Sequence, residues 1–258
     1  MVELLAEKDL RALMDVVDAG RHDAPTEGMP WAAMDTLRQL IGCDAAVFCE
    51  FNLLDRITLT GQDAMDGARS LELNDDDPDD LYWDLYKDFL PCVYHERSAD
   101  FNEAIKFSDF YTQAEYHDTT MWHQVFNADG SGDLKYCLLV SIPTQRGRTR
   151  RVLLWRYDGS DFGERERLLM RVLRPHLYEI YLDSQRRLRN VPRLSRREQE
   201  VLRLAAQGRS NAEIAGELFV AVSTVRKHME HIFDRTGVRS RAGAAALVLP
   251  HLSTVDPR

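Results

Sequence analysis

The 258-residue sequence is 44% hydrophobic and 29% charged, which excludes a disordered or low-complexity chain and gives enough length for two domains. No apolar run reaches the roughly 18 residues of a membrane span, and Glu3, Glu7 and Asp9 interrupt the start, unlike a secretory signal. The expectation is a cytoplasmic protein with no membrane partner. The net charge of −9 is unevenly placed: residues 191–258 hold eleven basic and seven acidic side chains, a formal +4, so residues 1–190 carry −13. An acidic body with a basic module suits a polyanionic partner for the module alone. Cys43, Cys49, Cys92 and Cys137 form no CxxC pair and have no close histidine at zinc spacing, so they read as free, mostly buried thiols with no metal or cofactor.

Helical spacing of Leu10, Leu13, Met14 and Val17 predicts an amphipathic helix over 3–18. A loop with Pro25, Gly28 and Pro30 follows, then a second helix carrying Trp31, Met34, Leu37, Leu40 and Ile41, ended by Gly42. Ala45–Phe51 and Arg56–Thr60 predict two strands. A helix is predicted around Leu81–Leu90, then less regular sequence to about residue 130. Leu134–Pro143 and Thr149–Tyr157 predict two further strands joined by the turn Gln145–Arg148. From Gly163 the helical period returns, through Leu168, Leu169, Val172, Leu173, Leu177 and Ile180 to about residue 189, with a kink expected at Pro175. This order predicts an α+β fold, an antiparallel sheet with flanking helices over 1–189. The segment 190–193, broken by Pro192, is a short linker.

Residues 194–258 punctuate themselves as four helices. Ser195 with Glu198, and Ser210 with Glu213, form S-x-x-E capping boxes. Gly208 stops the first helix, Phe219–Ala221 turns between the second and third, Gly237 follows the third, and Ser240 caps the fourth. Val201, Leu202, Ile214, Ala215, Val225, Met229 and Ile232 supply the core. The third helix then turns Ser223, Thr224, Arg226, Lys227 and Glu230 outward, which is the polar face that a helix-turn-helix lays in the DNA major groove. Arginine to guanine is the commonest specific base contact. Arg209, Arg239 and Arg241 in the flanking turns would add salt-sensitive attraction to phosphates, and hydroxyls and backbone donors suit phosphate oxygens.

The segment resembles the LuxR-type, GerE-like helix-turn-helix domain over about a quarter of the chain. The matching residues are Leu194-Ser195-x-Arg197-Glu198, Gly208-x-Ser210-Asn211-x-Glu213-Ile214-Ala215, Thr224-Val225-Arg226-x-His228, Gly237-Val238 and Arg241. The resemblance implies base-facing Arg226, Lys227 and Glu230, backbone contacts by Ser223 and Thr224, and a homodimer on a two-fold site, often through the fourth helix. Two positions depart from it: Ala221 stands where a capping Ser or Thr is usual, and Thr236 where Leu is usual. Asn211 joins the candidate DNA contacts. The expected function is sequence-specific transcription regulation.

Three readings of the first domain compete. A phosphoacceptor receiver needs an acidic residue ending a central strand, and Asp75–Asp77 with Asp79 and Asp80 instead reads as a solvated loop. An acyl-homoserine-lactone-type pocket would use Trp83 and Tyr86, but Asp77-Pro78 precedes the aromatics where that family has it after them. The preferred reading is a GAF- or PAS-like sensor or dimerisation domain, since the 134–157 hairpin followed by Asp161–Arg167 and Arg174-Pro175-His176-Leu177 resembles the end of such domains. Candidate pocket residues are Phe48, Trp83, Tyr86, Tyr111 and Trp122; His95, His117 and His123 lack ligand spacing. A ligand-free protein-interaction regulator is the remaining alternative. No Ser-His-Asp ordering, phosphate loop or H-E-x-x-H is present, so no enzyme activity is expected. The expected partners are double-stranded operator DNA, a second copy of the chain, an unidentified small-molecule effector and RNA polymerase.

Overall fold

The computed structural model describes residues 5–75, 81–127 and 134–249, and the chain divides into two compact units, residues 1–181 and 182–258. The first unit is built on a six-stranded sheet of order β3-β2-β1-β6-β5-β4, antiparallel throughout. Its strands are β1 (Ala45–Asn52), β2 (Ile57–Met65), β3 (Ala68–Asp75), β4 (Ala104–Lys106), β5 (Tyr136–Ser141) and β6 (Arg148–Arg156). This is the α+β class expected from the sequence. Among the described residues, no helix is long and apolar enough to cross a membrane.

Because side chains alternate across a strand, β1 presents Ala46, Phe48 and Glu50 to one face and Ala45, Val47, Cys49 and Phe51 to the other. Against the first face lie α1 (Glu7–His22), α2 (Trp31–Ile41) and α6 (Glu164–Leu188). Phe48 meets Tyr181 of α6, ring centroids 5.3 Å apart. The buried Glu50 carboxylate accepts from Arg150 Nη2 at 2.9 Å and from the Tyr181 hydroxyl at 3.1 Å, so a charge inside the layer is fully bonded, as burial demands. Gln62 and Met29 exchange two hydrogen bonds, at 2.7 and 2.8 Å, pinning the α1–α2 loop to β2. Gly28 permits this approach, since a Cβ there would lie 2.2 Å from Gln62 Oε1.

Against the second face lie α3 (Leu81–Tyr86), α4 (Leu90–Ser98) and α5 (Gln113–His117). Trp83, Tyr86, Phe89, Cys92, Phe107 and Tyr116 pack there on Cys49, Cys137, Leu139 and Trp155.

Several expectations change. The first helix runs later than predicted and turns its face: Leu13, Val16 and Val17 are buried, while Leu10 and Met14 are 51% and 56% exposed. The element expected over 81–90 is two helices, because the chain turns at Lys87–Phe89 and Pro91 suits the start of α4. Strands β3 and β4 were not foreseen. On α6, Val172 is exposed while Met170 and Tyr178 join the buried side, and Pro175 sits inside the helix. Of the acidic cluster, Asp75 ends β3, and Asp76, Asp77, Asp79 and Asp80, with Pro78, lie outside the described residues.

In the second unit, α7 (Arg196–Ala206), α8 (Asn211–Glu217), α9 (Val222–Thr236) and α10 (Arg241–Val248) enclose one core of Leu194, Val201, Leu202, Ile214, Val225, Met229, Ile232, Ala244 and Val248. Burying each large member contributes about 1.5–3 kcal/mol. Both capping boxes form, Ser240 accepts from Gly243 N at 3.0 Å, and Gly237 ends α9 at φ 69°. Ala221 gives α9 no side-chain cap.

Candidate nucleic-acid interface and ligand cavity

Three arginines and one carboxylate fix the geometry of the second unit. Glu198, 3% exposed, accepts from Ser195 N and Oγ, both at 2.7 Å, and from Arg235 Nη1 at 3.0 Å. Burial opposes its charge, but the bonds from Ser195 and the charges of Arg235 and His228 prevail and hold its pKa below the ordinary value. Arg197 Nη2 donates to the Leu218 carbonyl at 2.6 Å, tying α7 to the end of α8. Arg241 donates to the Arg209 carbonyl at 3.0 Å and to Asn211 Oδ1, locking the start of α10 onto the α7–α8 turn.

With the frame set from inside, α9 is free to present its outer surface. Val222, Arg226 and Glu230 are exposed and follow one another at four-residue intervals, so they share a stripe. Ser223 and Lys227 lie exposed beside it, and Thr224 is half-buried. Among the described residues, Arg226, Lys227 and Arg239 make no hydrogen bond or ion pair within the chain. Their donors are therefore available to an outside acceptor. Arg209 lies 3.9 Å from Glu217. The side chains of Asn211 and Arg241, both candidate DNA contacts, are bonded to each other. In the turn before α9, Phe219 has φ 54° and is 94% exposed, so it contributes nothing to the core.

The first unit holds a cavity of about 480 Å³ between the sheet and a wall that includes Tyr82 of α3 and Cys92 of α4. Its walls are mainly apolar, with Val47, Phe107, Leu153 and Trp155 among them, and its polar groups include Arg151, Asp63 and Tyr82. Strand register explains the set: Cys49 pairs with Arg151 and Val47 with both Leu153 and Asp63, so alternate residues of three strands face one space. Arg151 is 1% exposed. Its Nε donates to Thr149 Oγ1 at 3.2 Å, and its Nη2 serves Glu96 Oε1 at 2.9 Å, the Tyr86 hydroxyl and the Cys92 carbonyl. Burial works against this charge, and Tyr86, Cys92, Tyr82 and Glu96 outweigh it, so the guanidinium is more firmly protonated than an ordinary arginine. Nη1 has no hydrogen-bond partner among the described residues. Burial also raises Asp63, against a lowering bond from Ser70.

The sequence-predicted pocket residues are distributed around this space. Phe48 is a correction: strand alternation puts it on the opposite face, against Tyr181. Trp83 and Tyr86 belong to the aromatic cluster beside the cavity, and Tyr86 reaches it through its bond to Arg151. Tyr111 stacks on Phe89 with centroids 5.5 Å apart, and Trp122 lies tilted against His117 at 4.6 Å, both packed on the same cluster. His95 is buried, bonded to the Glu103 carbonyl at 3.0 Å, and burial lowers its pKa. No group of three or more His, Cys, Asp or Glu able to hold a metal occurs among the described residues. Arg151 was missed because an arginine in the basic run Arg148 to Arg151 reads as hairpin surface. Its alternation with Leu153 and Trp155 was the available signal.

The chain thus comprises an α+β unit that holds a cavity and a four-helix unit that carries a helix-turn-helix. The family model described as bacterial regulatory proteins, luxR family, matches residues 192–248. The spore germination protein GerE of Bacillus subtilis is 35% identical over 66 residues, which is 26% of this chain and 89% of that protein. The chain belongs to the luxR family of bacterial regulatory proteins. The probable transcriptional regulatory protein NarL of Mycobacterium tuberculosis is 48% identical over 56 residues, 22% of this chain; the match spans only 26% of that relative's length. Among solved structures, SdiA in complex with octanoyl-rac-glycerol aligns over 96% of this chain and 97% of its own at 15% identity, with a TM-score of 0.42.

Proposed function

We propose that this chain is a sequence-specific DNA-binding transcriptional regulator that works as a homodimer and answers to a small effector held in the first unit. The observation that carries the DNA reading is the exposed, unbonded Arg226 and Lys227 on α9, set on a helix-turn-helix where Arg197, Arg235 and Arg241 are used internally. Arg226 and Glu230 meet base edges, while Ser223, Thr224 and Arg239 face phosphates. In a homodimer two α9 helices would meet half-sites about one DNA turn apart. The test is anisotropy with a duplex enriched from random sequence by the full-length protein. Arg226→Ala should weaken that duplex by about 5- to 150-fold, the 1–3 kcal/mol of a lost bidentate contact, and Lys227→Ala should flatten the salt dependence. Unchanged binding in the double variant refutes the reading.

The cavity supports the effector reading. Its volume lies in the range of small-molecule sites, roughly 300–1,000 Å³. Arg151 and Glu96 are already paired, so a carboxylate ligand would leave an uncompensated buried negative charge. The favoured effector is an uncharged amphiphile: an apolar body along Val47, Leu153 and Trp155, with a carbonyl-type acceptor at Arg151 Nη1. Acyl-homoserine-lactone-like molecules fall inside that class.

A further inference from the structure

A second hollow in the first unit, about 610 Å³, opens at the end of the β5–β6 hairpin and is unlike the first in its chemistry. Two of its lining groups have a buried, unsatisfied atom, and a third, the half-buried Arg174, has an unbonded nitrogen. Ser141 is 2% exposed, and its hydroxyl has no hydrogen-bond partner. Glu96 turns Oε1 toward Arg151 in the wall shared with the first cavity, while its Oε2 is buried without a partner. Arg174 uses Nε on the Ser141 carbonyl at 2.6 Å and Nη1 on Asn102 Oδ1 at 3.0 Å. No carboxylate pairs with it among the described residues, and burial lowers its pKa against a weaker raising effect of Asp100. Arg146 and Arg148 stand exposed on the rim.

Buried polar groups in native proteins are normally bonded, and a cluster of exceptions calls for a missing partner. We propose that this hollow is a second effector site, for a small carboxylate that carries an adjacent hydrogen-bond donor, an α-amino or α-hydroxy acid. The carboxylate meets the free nitrogen of Arg174 and the basic rim. The amino or hydroxyl group donates to Glu96 Oε2, and the Ser141 hydroxyl completes the floor. A plain anion would satisfy Arg174 and leave the Glu96 oxygen facing negative charge. A plain amine would do the reverse. Only a ligand with both groups satisfies all three. The site also touches the first cavity through one side chain, because Glu96 holds Arg151 with its other oxygen.

The site does not depend on the DNA reading, and neither does its test. Full-length protein is melted alone and with about 10 mM of each of the common L-amino acids, glycine, L-lactate and malate, with acetate and ethanolamine as single-group controls. At least one α-amino or α-hydroxy acid should raise Tm by about 3 °C or more, as ligand linkage requires when concentration exceeds Kd. Acetate and ethanolamine should shift it by less than about 1 °C. Ser141→Ala removes a hydroxyl that bonds to nothing in the protein, so the variant folds and should lose most of the ligand shift; Arg174→Gln should lose it as well. If no panel member moves Tm by more than about 1 °C, or if both variants keep the full shift of the parent protein, the proposal is wrong.

Discussion

Glu198 at the start of α7 receives Arg235 from the last turn of α9 at 3.0 Å, so one buried carboxylate caps one helix and anchors another. Its loss should be felt in both. Glu198→Gln should destabilise the second unit by about 1–3 kcal/mol, the cost of weakening charge-assisted bonds at a buried site. Urea titration followed by circular dichroism would register this as a lower midpoint with an unchanged slope. A midpoint equal to that of the parent protein would mean the pair does not carry load.

The same carboxylate gives an acid-side signature. Its pKa is lower in the folded protein than the ordinary glutamate value of about 4.5, so the unfolded chain binds more protons between the two values and stability rises with pH there. The contribution is therefore complete above about pH 4.5 and is lost as pH falls through the folded value. Between about pH 6 and pH 3 the parent should lose more stability than Glu198→Gln does, and the two curves should converge at the acid end. Parallel curves across that span would contradict the assignment.

Ala221 leaves the first turn of α9 without a side-chain acceptor. A serine there has the required extended backbone already, since Ala221 sits at φ −71° and ψ 148°. Ala221→Ser should stabilise the unit by about 1 kcal/mol. In thermal unfolding this corresponds to a rise of about 4–8 °C for a domain of this size. No rise would show that water or a neighbouring group already serves those backbone donors.

The helical unit was legible almost residue by residue, because its signals are local. Each capping box spans four residues, each glycine stop follows its helix directly, and one apolar stripe per helix faces one core. The sheet was legible only at its centre. Strands β1 and β5 are mainly apolar and β6 ends in the apolar run Val152–Trp155, whereas all eight residues of β3 are exposed and β4, though Ala104 and Ile105 are buried, is only three residues long, so neither is long or apolar enough to write a pattern. Leu10 and Met14 misled for a related reason: apolar residues at helical spacing define a stripe, but only the neighbours decide which edge of it is covered. The cavity was least legible. Its lining comes from β1, β2, β6 and the irregular middle together, and no single segment carries its outline. Phe219 was placed in the turn correctly, yet nothing local shows that its ring leaves the protein.

The two kinds of arginine in the second unit should separate by experiment. Arg241 is spent on the Arg209 carbonyl and Asn211, so Arg241→Ala should cost about 1–2 kcal/mol of stability. Arg226 touches nothing in the chain, and Arg226→Ala should leave stability within about 0.5 kcal/mol of the parent. Denaturant melts of both variants, made without DNA, decide this. Equal destabilisation would overturn the division between framing and reading arginines, while the reverse order would exchange their roles.

The four cysteines give the last expectation. All are free and buried. Desolvation pushes Cys43 and Cys49 up to about 12, with partial relief from Arg156 and Arg151 respectively. It raises Cys92 and Cys137 as well. At pH 8 a thiol of pKa about 12 is ionised in roughly one molecule in ten thousand, and the thiolate is the reactive form. Native protein should therefore show almost no reaction with a chromogenic disulfide reagent over minutes, and four equivalents after unfolding in guanidinium. Cys49 and Cys92 line the first cavity, so they also report on its closure. Fast labelling of either thiol in the native protein would mean that the cavity admits water and reagent, and an amphiphile bound beside Arg151 should then suppress that labelling selectively, leaving Cys43 unchanged.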